Sequence, residues 1–482
     1  MLLFILIGEV SCKKSVPLVV TSTPSPVIDF RDTLANYARS SYYWDSLIPT
    51  SFNPHSYSAL DTFFAETNAI RGFSGKDPNT GGNLDRFSFV LTEKEYQTLF
   101  INGSSLGYGL EFRFDENGSY RIRYAAHASQ AYKLGVRRGW KLDSVNGMVP
   151  SNTTLFFNQL GTALNSSTLK MDFEDANKIS HSLNLSSASV LDDEVVTTSV
   201  KDTAGKKIGY MVYNTFLPKA SGSSIHPGLD TAFAGLAKKG ITDLVIDLRY
   251  NGGGYVEIVQ EMANALIPSA YQGKVLFTEV FNKNLKSDNS TTLVNKNLSA
   301  NPPLLNINSI NFIVSEGTAS ASELIINSLF PYFPNIQLIG VSLGRGAFKQ
   351  NTAGKPFGFF NYSFPFVTPK FEAFLINDET KNALGKDNYT AGFVPNIQVY
   401  DGVEYDWGNP VEYGYAEAVH YVVSGSLALN KPGIKSGNGL SVDKKSSSFP
   451  INLASDRSPV LIRPIGQFHL KGNTIIRSKL RK

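Results

Sequence analysis

ITDLVIDLRYNGGG, residues 241–254, opens on a nearly continuous apolar run and closes on three glycines. A run without polar alternation is what a strand covered on both faces needs. The helical pattern YVEIVQEMANALI, 255–267, follows it. Glycines at such a junction allow backbone shapes that a Cβ forbids. They also leave amide N–H groups at a helix start, where negative charge is favoured. A phosphate loop would need Gly-Lys-Ser/Thr here, but the chain continues GYVEI, and the dinucleotide-binding spacing fails as well. The glycines therefore read as oxyanion donors, with Gly252 and Gly253 the candidates, or as a tight turn.

Working outward, the same alternation repeats. KIGYMVYNTF (207–216) is strand-like, GLDTAFAGLAKKG (228–240) is a helix with a glycine stop, and INFIVS (310–315) is a strand. SASELIINSLF (320–330) is a helix and IQLIGV (336–341) a strand. This order predicts a layered α/β domain over 191–423.

A second junction lies at SEGTASASEL, 315–324, between the apolar runs Ile310–Val314 and Leu324–Leu329. Small side chains suit a place where another group must approach the backbone. A serine at a helix start is commonly an N-cap, yet Ser315, Thr318, Ser320 and Ser322 cannot all be caps. A nucleophilic serine needs a base. None of the six histidines lies in either junction, and neither junction carries a G-x-S-x-G elbow. The remaining base is a lysine made neutral by burial, as in the Ser–Lys variant of nucleophilic catalysis. TAGKPFGFF, 352–360, offers Lys355, which on its own could equally be a surface lysine.

Ahead of the α/β stretch, residues 29–102 read as helices with polar loops. Residues 103–190 read as a β-rich domain: LEFRF and YRIRY alternate across an Asp-Glu-Asn-Gly turn, and a short helix, GVRRGW and a strand ending in VNG follow. This stretch resembles a PDZ domain. Gly107, Tyr108, Gly109 and Leu110 stand where a PDZ domain has its carboxylate-binding loop, which implies capture of a peptide chain end by strand addition.

DLRYNGGG, EGTASASEL and GKPFG after a PDZ-like stretch resemble the C-terminal processing peptidases, serine peptidases of family S41 that use a Ser–Lys dyad. DRFSFV (85–90) and GKDNYTAGFVPNIQVYDGVEYDWGNPVEYGYAEAV (385–419) are similar to family segments as well. The resemblance implies a multidomain α/β chain with an N-terminal helical segment, a PDZ-like domain and a crotonase-like peptidase core. It implies Ser320 as nucleophile, Lys355 as general base, and the amide of Ala321 with that of Gly252 or Gly253 as oxyanion donors. Two departures stand out. Ser320 and Lys355 are 35 residues apart, longer than is common in the family, through an apparent insertion SLGRGAFKQN. Without it Arg345 would stand near the lysine position, and arginine cannot act as a base. Phe359 also stands where many members carry a glutamine. The alternative left open is a peptidase fold that binds peptides but no longer hydrolyses them.

Composition sets the frame. The 482 residues are 42% hydrophobic and 18% charged, with one cysteine and a net charge of +4. That is a globular balance, and no intrachain disulfide is possible. Residues 424–482 carry 11 Lys/Arg against 2 Asp/Glu, a basic extension on a mildly acidic body. Cys12 follows the apolar start MLLFILIGEVS and precedes a Ser/Thr/Pro-rich stretch. This resembles a bacterial lipoprotein signal and tether over 1–28, with Cys12 lipidated and the protein on the cell envelope. The expected partners are a protein or peptide substrate and a membrane reached through the lipid. No nucleic acid, metal or other cofactor is expected, because no His/Cys/carboxylate cluster has ligand spacing.

Overall fold

The computed structural model describes residues 29–57, 63–77, 81–96, 104–115, 117–217, 226–342, 357–364, 371–387, 389–428, 467–471 and 474–478. It is a mixed α/β chain of several sheets. Among the described residues no helix is long and apolar enough to cross a membrane.

The N-terminal part carries helices α1 (Phe30–Ser41) and α2 (Phe63–Gly72) and a strand, β1 (Phe89–Thr92). Asp29 caps α1 by accepting from the Arg31 amide at 2.9 Å. Leu34, Tyr37 and Ala38, one helical face, are fully buried. The sequence reads this part as helices with polar loops, but the end of DRFSFV runs into strand β1. Asp85 shapes its approach, its Oδ1 accepting from the amides of Phe87 at 2.9 Å and Ser88 at 2.8 Å.

Residues 110–186 build a five-stranded antiparallel sheet in chain order: β2 (Leu110–Phe114), β3 (Tyr120–Ala125), β4 (Lys141–Val145), β5 (Thr168–Glu174) and β6 (Ser180–Ser186). Helix α3 (Thr154–Leu164) packs on it. The turn between β2 and β3 closes as its Asp-Glu-Asn-Gly sequence demands. Asp115 Oδ1 accepts from Asn117 N at 2.9 Å and Ser119 N at 2.8 Å, and Gly118 adopts φ 82°. Ile122, Leu142, Phe156, Leu160, Met171 and Phe173 form its core. Each such burial contributes about 1.5–3 kcal/mol.

The central sheet contains β7 (Val195–Thr203), β8 (Lys206–Tyr213), β9 (Asp243–Asp247), β12 (Ser309–Val314), β13 (Leu338–Ser342) and β16 (Ile397–Tyr400) in the order β16-β13-β12-β9-β8-β7. All neighbours are parallel except β7 with β8. The apolar run of β9 divides between two faces as a period of two requires. Leu244 and Ile246 pack with helices α4 (Pro227–Lys238), α5 (Val256–Leu266) and α6 (Ala321–Leu329), whereas Val245 packs with α7 (Tyr413–Ser424). A second, antiparallel sheet runs β1-β15-β10-β11, built by β10 (Val275–Phe281), β11 (Ser290–Leu293) and β15 (Phe371–Asn382), with β14 (Phe357–Phe364) also on β15.

Candidate active site

β9 and β12 are parallel neighbours in register, Asp247 opposite Ile313, so their C-terminal ends lie side by side. Ligands of open α/β sheets bind in the crevice beyond such ends. The loop after β9 holds the three glycines, and the loop after β12 holds the serines. Hydroxyl groups join the two loops. Ser315 Oγ donates to the Arg249 carbonyl, Thr318 Oγ1 to the Leu248 carbonyl at 2.8 Å, and Ser322 Oγ to the Asn251 carbonyl at 3.0 Å. The Ala319 amide adds a bond to the same Asn251 carbonyl at 3.2 Å. Three of the four hydroxyl residues are thus rivets between loops rather than caps.

Ser320 differs from them in its backbone. It stands immediately before α6 with φ 58° and ψ −117°, a conformation hostile to a side chain. Its amide donates to the Glu323 carboxylate at 3.2 Å, and its carbonyl accepts from Glu323 N at 2.9 Å and Leu324 N at 2.8 Å. Strain of this kind costs about 1–3 kcal/mol and persists only where the surroundings enforce it.

The glycine loop reaches this turn closely. A Cβ on Gly253 would stand 2.6 Å from Ser320 Cβ and 2.8 Å from the Ala321 amide nitrogen. One on Gly254 would stand 2.4 Å from the Phe216 backbone. Both positions have positive φ, 108° and 143°, so only glycine fits. The Gly253 amide donates to Asn251 Oδ1 at 2.8 Å, and its carbonyl accepts from Phe216 N at 2.9 Å. Among the described residues nothing accepts from the amides of Gly252 and Ala321. The structure therefore brings Ser320, Ala321, Gly252 and Gly253 together. Lys355, with Lys349 and Arg345, lies outside the described residues, as does Cys12.

Beneath the glycine loop lies a buried ionic cluster that the sequence did not announce. Arg249 Nε donates to Asp247, its Nη1 to Asp401 at 2.8 Å and to Glu412 at 2.8 Å. Asp401 also accepts from Arg138 at 2.7 Å, from Arg113 at 2.5 Å and from the Tyr250 hydroxyl. Three guanidiniums thus face three carboxylates. Burial alone would raise the Asp401 carboxyl, but Arg138, Arg113 and Arg249 outweigh it and hold it well below the usual range. The Trp407 ring lies 4.1 Å from Arg138 Cζ. Local pattern could not pair Arg249 with Asp401, because they are 152 residues apart. The one available hint was charged residues inside an apolar strand.

Gly107 to Leu110 sit elsewhere, at the start of the 110–186 sheet. Tyr108 is buried, its hydroxyl donating to the Ser166 carbonyl at 2.6 Å. Gly109 has φ 65°, and a Cβ there would stand 2.6 Å from Ser129 Cβ. Leu110 opens β2, which forms the edge of its sheet.

A strained serine thus stands at a strand-to-helix turn, faced by a glycine loop at the end of a parallel sheet. Residues 207–351 match the model of peptidase family S41. The carboxy-terminal processing protease CtpB of Bacillus subtilis (strain 168) is 26% identical over 264 residues, covering 52% of this chain and 48% of that protein. The chain thus spans about half the length of the curated relative it matches. A Bacteroides fragilis NCTC 9343 protein described as an S41 protease shares the fold, with a TM-score of 0.64 and 21% identity over 82% of this chain and 97% of that one.

Proposed function

We propose that this chain is a serine endopeptidase that cleaves protein or peptide substrates with a Ser320–Lys355 dyad. The observation that supports it most is the strained Ser320 turn against the glycine loop. In this reading Ser320 Oγ attacks the scissile carbonyl while Lys355 takes its proton. The amides of Ala321 and Gly252 stabilise the oxyanion at the start of α6, each donor worth roughly 3 kcal/mol of barrier. The 110–186 sheet acts as a PDZ-like domain that receives a chain end along β2. No metal or other cofactor enters the reaction.

Peptide cleavage by single variants tests the dyad. Ser320→Ala and Lys355→Ala should each abolish turnover to a similar degree, because dyad members act as one unit. Lys349→Ala and Arg345→Ala should keep most activity. Turnover should rise with pH as the lysine loses its proton. A Lys355→Ala chain that still cuts near the wild-type rate would remove the base assignment.

Cys12, on this reading, carries a lipid that fixes the chain to a bacterial envelope. Fractionation should find a Cys12→Ala variant in the soluble fraction and the parent with membranes. Equal membrane association of both would count against the anchor.

A further inference from the structure

Asn251 is fully buried between the two loops and the end of β8. Its Nδ2 donates to the Tyr213 carbonyl at 2.9 Å, and its Oδ1 accepts from the Gly253 amide at 2.8 Å. Its own carbonyl accepts from Ala319 N and from Ser322 Oγ, one residue before and two after Ser320. Its amide donates to the Leu248 carbonyl at 3.0 Å. One residue therefore engages three chain segments with every polar group it has. The side-chain half holds the glycine loop to the central sheet, and the backbone half holds the serine turn to the glycine loop. Gly253, fixed by the carboxamide on one side and by Phe216 on the other, is the part of the loop that touches Ser320.

We propose that the Asn251 carboxamide is a positioning residue for catalysis: it sets the distance between the glycine loop and the Ser320 turn, and so the geometry of the oxyanion site. This rests on the peptidase reading above. Asn251 touches no reacting atom. Its effect is carried by Gly253, so it belongs to the transition state more than to substrate binding. A displacement of a fraction of an ångström at such donors is enough to lose rate.

The test uses the full chain, one cleavable peptide, the matching peptide aldehyde and the matching product peptide. The aldehyde forms a tetrahedral adduct that needs the oxyanion site, and the product does not. Asn251→Ala should lower kcat roughly 10²–10³-fold with KM nearly unchanged. Aldehyde affinity should fall by a comparable factor and product affinity should hold, which also shows that the variant is folded. Wild-type kcat in Asn251→Ala, or a lost kcat with unchanged aldehyde affinity, would overturn the proposal. Ser320→Ala run alongside separates the two claims. Retained cleavage there removes Ser320 as the nucleophile and this proposal with it, whereas lost cleavage there with wild-type kcat in Asn251→Ala overturns this proposal alone. A wild-type chain that binds both ligands alike overturns both.

Discussion

At Ser320 the chain accepts a conformation that glycine would adopt without strain. The serine is thus retained against local stability, and the two obvious replacements should behave differently. Ser320→Ala keeps a Cβ and with it the strain. Ser320→Gly removes both. Thermal unfolding should find the glycine variant more stable than the alanine variant by about 1 kcal/mol, with neither cleaving peptide. Equal midpoints would mean that the turn is not strained. The neighbouring hydroxyls show how far sequence reading reaches at this scale. The crowd of small residues in SEGTASASEL was legible, and so was the need for another group to approach the backbone, but not that the glycine loop is such a group. The division of labour was not. Ser315, Thr318 and Ser322 serve carbonyls of the other loop, and nothing local distinguishes a serine that bridges loops from one that reacts.

Elements with a strong period were the most legible. The β9 run and the glycine-stopped α4 pattern appear where they were read, because burial on two faces or on one stripe writes itself into consecutive residues. Strand β1 was not read as part of a core sheet, since its partner β15 begins far along the chain. Edge strand β2 carries a further prediction. It begins just after the Gly107–Gly109 turn, and its outer side has no strand partner among the described residues. A free-acid peptide should therefore bind more tightly than its amidated twin, with the difference read by titration calorimetry. Equal affinities would refute recognition of a chain end, though not strand addition as such.

Across the whole molecule the buried ionic cluster joins parts that the sequence kept apart. Arg113 lies on β2 and Arg138 just before β4, whereas Arg249, Asp247, Asp401 and Glu412 belong to the core. Asp401→Asn leaves three guanidiniums against two carboxylates. Removing one partner of a buried ionic group costs about 3–5 kcal/mol. The pH dependence has a definite sign. The Asp401 carboxyl titrates below its ordinary value in the folded chain, so its contribution is present above about pH 4 and fades as pH falls through the depressed value. The gap between parent and variant should be full at pH 7 and shrink in strong acid. Denaturant unfolding across pH measures it, and a gap independent of pH would show that the carboxylate charge is not what matters. Hydrogen exchange at pH 7 should quicken in residues 110–186 of the variant, whose contacts with the core include this carboxylate.

The pairing of β1 with β15 also has a consequence in time. Ser88 Oγ accepts from the Ile376 amide across 288 residues of chain, and the Ile376 carbonyl accepts from Tyr43 N. A ribosome adding about 5–20 residues each second needs on the order of 15–60 s to cover that interval. Throughout it β1 has been made but its strand partner has not. The first segment synthesised must wait for one of the last, and a chain halted before β15 leaves its own beginning unpaired.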